Sequence, residues 1–146
     1  MNQDSEVTEF SWVKARQECS MANMFLGLKE EVEKDVQAAK TLFKGTGRAF
    51  DFKTGSDSFT VYEGVRPLRT VKFSLDETGT KIVVEQDNGD GQPTSRIEVG
   101  LTLNKEKQCR FIVGDEELES WHLRKRSLER LFFSIPIATA SGFKGI

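Results

Sequence analysis

The segment ESWHLRKRSLERLFF, residues 119–133, gathers the chain's single histidine, one of its two tryptophans and its densest run of positive charge. Residues of these types support acid–base catalysis or anion binding. A histidine acting as general base needs a second group to orient it. No serine, cysteine or acid near His122 in sequence forms a recognised nucleophile arrangement, so it reads as a surface or hydrogen-bonding residue. Arg124, Lys125, Arg126 and Arg130 have the chemistry of a phosphate contact, whether to nucleic acid or to lipid head groups. The preferred reading is a solvated strand-to-helix junction. The acidic stretch GDEELE just before it, with Asp115, Glu116, Glu117 and Glu119, is placed to neutralise part of the charge. Exposed aromatics interleaved with such cations, which single-strand binders use for base stacking, are not evident here.

Other motifs carry less. The Gly-x-Gly of GTGRAF leaves a helix instead of opening one, so it offers no helix N-terminus to a phosphate and reads as a cap. In the order Gln86, Asp87, Asn88, Gly89, Asp90, Gly91 the acids fall three apart, out of step with the alternate ligands of a calcium loop. Cys19 and Cys109 are far apart and show no paired-ligand spacing, so a structural zinc site is not expected. Both thiols are expected to be reduced and partly buried. The residues point to no cofactor, no metal and no catalytic group.

The elements that must position these residues follow from periodicity. Residues 5–43 contain no proline and one glycine, Gly27. Met21, Phe25, Leu28, Val32, Val36, Ala39 and Phe43 recur at three- and four-residue steps, which predicts an amphipathic helix. Trp12, Ala15, Cys19, Ala22 and Leu26 form a second stripe, rotated from the first, and Ser20 can cap a new helix. A bend or break near residue 20 is therefore expected. Unbroken, the helix would run on the order of 55 Å at 1.5 Å per residue, longer than a domain of this size is wide.

After KGTG, a helix stop with Gly45 or Gly47 at the cap, the period changes to two. Phe50 and Phe52, Phe59 and Val61, Val71 to Leu75, Ile82 and Val84, Ile97 to Leu103, and Phe111 and Val113 each set an apolar face against a polar one. Residues 118–124 continue the alternation, with Trp121 and Leu123 inward and His122 and Arg124 outward, and are read as a seventh strand paired with residues 109–113. A helix wound from Leu118 would put Leu123 opposite the apolar stripe and Arg124 within it. Beyond, Ser127 is expected to cap a short helix over 127–135 that ends at Pro136. The predicted class is α+β: a long N-terminal helix, bent or broken near residue 20, about seven antiparallel strands in a curved sheet with one apolar face, and a short C-terminal helix.

A chain of 146 residues fits one domain, with loose tails at 1–9 and 137–146. Net charge is −2, and the stretch 76–119 is acidic while 120–146 is basic. Such blocks can face one another, which makes a nucleic-acid partner unlikely on this ground. No run reaches the roughly 18 apolar residues of a membrane helix, and the polar N-terminus lacks a secretory signal, so a cytoplasmic protein without membrane insertion is expected. Two functions remain. The first is a small non-enzymatic binding or adaptor module that engages a protein partner, and a second copy of itself as a homodimer, through Trp12 and Leu26 of the N-terminal region. The alternative is an apolar or amphipathic ligand held between curved sheet and helix, in a cavity lined by Phe25, Phe50, Phe52, Phe59, Phe73 and Phe111. These phenylalanines and Trp121 serve a filled core equally well.

Overall fold

The computed structural model describes residues 10–64, 69–88 and 93–133. The expected tails, residues 89–92 of the predicted long turn and the end at Pro136 lie outside them. Helix α1, Trp12–Glu18, is short, and Ser11 caps it by accepting a hydrogen bond from the Lys14 amide at 3.3 Å. The chain leaves helical geometry at Cys19 and Ser20, and Ser20 caps α2, Met21–Leu42, through the Asn23 amide at 3.1 Å. The break falls where the two stripes change direction. Met21, Phe25, Leu28, Val32, Val36 and Ala39 form the buried face of α2, and Phe43 packs half-buried at its end. Leu28, Val32 and Val36 are fully buried, each contributing about 1.5–3 kcal/mol.

Seven antiparallel strands follow in spatial order β1 to β7, a simple meander. They are β1 Phe50–Thr54, β2 Ser58–Glu63, β3 Arg69–Leu75, β4 Ile82–Asp87, β5 Pro93–Leu103, β6 Cys109–Val113 and β7 Glu116–Leu118. Cross-strand pairs such as Phe59 with Phe73, Phe73 with Val84 and Ile82 with Val99 keep the apolar face in register across the sheet. Strand β5 pairs with β4 up to Val99 and with β6 from Gly100. Several of the hairpin turns carry residues with positive φ. Gly79 takes a φ of +70° between β3 and β4, where Asp76 accepts from the amides of Thr80 and Lys81; Lys107 takes +66° between β5 and β6.

Two expectations fail here. Residues 118–124 are not a strand: β7 ends at Leu118 and α3, Ser120–Phe133, begins two residues later. Once Leu118 belongs to the sheet, Leu123, Leu128, Leu131 and Phe132 make a continuous helical face, all buried. Arg124 is tolerated beside that face because its Nη1 donates to both carboxylate oxygens of Asp35 on α2 at 2.8 Å. Ser127 consequently lies inside the helix, buried, with no hydrogen-bond partner for its hydroxyl among the described residues, instead of capping it. Trp121 is half-exposed, not core. The second failure concerns the thiols, which are joined: Cys19 and Cys109 form a disulfide with a Cα–Cα distance of 5.5 Å. The break before α2 brings Cys19 to the first residue of β6, a proximity that 90 residues of separation conceal.

Candidate interaction surface

The N-terminal region exposes more apolar surface than its size would suggest. Helix α1 buries none of its residues, and Trp12 and Val13 are 66% and 60% exposed. Seven residues are too few to hold a helix in water by themselves. What fixes α1 is its Ser11 cap at one end and, at the other, Cys19 with its disulfide to β6. An open cleft of about 570 Å³ lies between α1 and the β5–β6 hairpin, walled by Phe10 and Trp12 and floored by Leu101 and Leu103. A second cleft of about 510 Å³ opens along Val13, Gln17 and Met21, with Arg16 and Leu101 shared between the two. Leu26, also exposed, sits on α2 and lines neither. Trp12 and Leu26 are both exposed but share no cleft.

The basic corner on α3 behaves differently. Arg124 pairs with Asp35, Lys125 with Glu129 at 2.9 Å, and Arg126 with Glu116 at 2.8 Å. Only Arg130 among the four has no ion pair with a described residue. Glu116 comes from the acidic stretch that was expected to neutralise the corner, whereas Asp35 comes from α2. His122 is exposed and stacks on Trp121, with ring centroids 3.7 Å apart. Between α2 and α3 an apolar groove of about 360 Å³ runs along Leu42, Trp121, Leu128 and Phe133.

The six candidate ligand-lining phenylalanines instead touch one another or the core. Phe59 stacks on Phe73 at 4.8 Å and meets Phe25 and Phe52, while Phe50 packs edge-on against Phe132. Phe111 is buried in the same cluster. None of the six lines any of the three clefts above.

One polar cluster escaped sequence reasoning. Glu63 is fully buried at the end of β2. Arg48 grips it through Nε at 2.8 Å and Nη2 at 3.2 Å, and Arg69 through Nη2 at 2.8 Å and Nε at 3.2 Å. The same guanidiniums donate to the last carbonyls of α3, Leu131 and Phe132, at 2.8–2.9 Å. Burial pushes the Glu63 carboxyl up, but the hydrogen bonds and charges of Arg48 and Arg69 outweigh it and hold the group below its ordinary value. Two cations at a helix C-terminus also complement the helix dipole. The cluster is a clasp that fixes α3 to β1–β3. The signal for it was present: Glu63 and Arg69 continue the inward alternation of Phe59 and Val61 and of Val71 and Phe73, so each places a charge on the apolar face.

Among the described residues no group of histidine, cysteine and carboxylate side chains is arranged to hold a metal, and no helix is long and apolar enough to cross a membrane. Comparisons with protein-family models, with curated proteins and with solved structures give no match.

Proposed function

We propose that this protein is a non-enzymatic binding module that engages a protein partner, and a second copy of itself, through the N-terminal helical region. The observation that carries this reading is the status of α1: a helix that contributes no buried residue is nevertheless capped and covalently tethered, with a tryptophan and a valine turned to water. Covering a tryptophan removes roughly 150–250 Å² of surface from water, and such residues dominate interface energetics. A helix retained for stability would instead turn its apolar side chains onto the sheet. The disulfide supports an oxidising compartment as the place of work, against the cytoplasmic location inferred from the N-terminal composition.

The test combines light scattering over a concentration series with photo-crosslinking in cells from a benzoylphenylalanine placed at Val13. Self-association, or a crosslinked adduct, that is lost on Trp12→Ser supports the reading. A monomer at every concentration together with no adduct from position 13 overturns it.

A further inference from the structure

We propose that the cleft between α1 and the β5–β6 hairpin receives an acidic peptide segment carrying a large apolar side chain; this rests on the partner-binding reading above and specifies the partner's chemistry. The lining of the cleft has two parts. Phe10, Trp12, Leu101 and Leu103 give an apolar pocket, and Arg16, Lys105 and Lys107 surround it with three cations and no carboxylate. None of the three forms an ion pair with a described residue. Arg16 donates to the Cys19 carbonyl at 3.0 Å, and the Lys107 ammonium stands 4.7 Å from the centre of the Phe10 ring. The cations of α3 are largely matched to acids of the same chain, whereas among the described residues these three are not. A partner that brings carboxylates would supply a counter-charge that the described lining of the cleft does not contain.

The backbone points the same way. Lys107 has a φ of +66°, a left-handed turn position that glycine adopts freely and other residues adopt at a cost. The lysine in this position puts an ammonium against an aromatic wall of the cleft. A peptide suits the site better than a nucleic acid. Single-strand binders run a long basic groove past several phosphates, whereas here Glu106 sits among the hairpin cations and Glu18 ends α1. Three cations around one apolar pocket match a few carboxylates flanking a leucine or phenylalanine.

The experiment uses the full chain with Trp121→Phe, which leaves Trp12 as the only tryptophan. Its emission is followed during titration with a dodecapeptide alternating Glu with Leu and Phe, with the same peptide carrying Lys for Glu, and with a twelve-residue oligouridylate. The Glu peptide should give a saturable change, at least about tenfold tighter than the Lys peptide and weakened by about tenfold when salt is raised several-fold. Lys105→Glu combined with Lys107→Gly should weaken it by about tenfold or more, and Lys125→Glu on α3 should not. Glycine at position 107 fits the turn, so loss of binding there is not loss of fold, and far-ultraviolet dichroism checks this. Equal binding of the two peptides, no response to the Glu peptide, or tighter binding of oligouridylate overturns the proposal. If the position-13 adduct persists in the Lys105→Glu, Lys107→Gly variant while the Glu peptide fails to bind, the partner reading stands and the acidic specificity falls. If no adduct or self-association forms at all, the partner reading itself falls.

Discussion

Replacing Cys19 and Cys109 together by alanine, or reducing their disulfide, should lower stability by up to about 4.6 kcal/mol at 25 °C. The figure follows from the loop that the bond closes in the unfolded chain, whose ends are 90 residues apart, through the logarithmic dependence of closure entropy on loop length. Residual structure in the denatured chain lowers it. The assay is urea unfolding followed by far-ultraviolet dichroism, with and without a phosphine reductant. With a slope of about 2 kcal/mol per molar, the midpoint should fall by roughly 2 M on reduction. The alanine variant should show the lower midpoint in both buffers. Amide exchange adds a spatial test. The core cluster does not include Cys19, so residues 25–39 should stay protected after reduction, whereas residues 12–18, with no buried side chain to hold them, should exchange at nearly the unfolded rate. A midpoint that moves by less than about 0.5 M refutes the closure argument. Continued protection of residues 12–18 refutes the claim that the bond is what holds α1.

Three further outcomes are expected. Glu63→Gln leaves one buried and one partly buried guanidinium, Arg69 and Arg48, facing a neutral amide and should cost about 3 kcal/mol, seen as a fall in Tm of roughly 6–12 °C by calorimetry at neutral pH. Because the folded carboxyl is held below its ordinary 4.5, its contribution is complete above that pH and is lost as pH falls through the depressed value; the variant should lack this limb of the acid-unfolding curve. Ser127→Ala removes a buried hydroxyl with no partner among the described residues and improves helix propensity, so Tm should rise by roughly 2–4 °C, and a fall would show that the hydroxyl is in fact satisfied. A double-mutant cycle on Arg124 and Asp35 should give a coupling of about 1 kcal/mol, since that pair is only partly exposed, while Lys125→Ala and Arg126→Ala should each stay within about 0.5 kcal/mol; equal values at all three sites would contradict the assignment of Arg124 as the tie between α2 and α3.

What could be read from the chain was whatever repeats with a period. The buried face of α2, the break at Cys19 and Ser20, and six of the strands follow from spacing alone, because a helix or strand with one apolar side records that side in its sequence. The seventh strand was misplaced for a reason of the same kind. Over residues 118–124 a strand and a helix both accommodate the apolar residues, and the choice rests on Asp35, 89 residues away, which makes Arg124 acceptable beside a buried face. The disulfide was illegible because only the folded chain brings Cys19 to β6. Glu63 and Arg69 were legible as anomalies in an alternating pattern, but what neutralises them was not.

The same distinction decides where a binding surface lies. Sequence density drew attention to Arg124, Lys125, Arg126 and Arg130, and in the fold the first three have carboxylates within 2.9 Å. Arg16, Lys105 and Lys107 are unremarked in the sequence, 91 residues apart at their widest, yet the tether at Cys19 gathers them round Phe10 and Trp12. Charge that the fold has already matched has little electrostatic free energy left to give a partner, whereas charge left unmatched beside exposed aromatic surface retains it. On the proposed reading the disulfide links stability to recognition: it holds in place a helix that adds no buried residue to the core, and in doing so brings Arg16, Lys105 and Lys107 together round Phe10 and Trp12. Reduction should abolish binding of the acidic peptide at a urea concentration where the core is still folded, and retention of that binding in the reduced protein would separate the two roles.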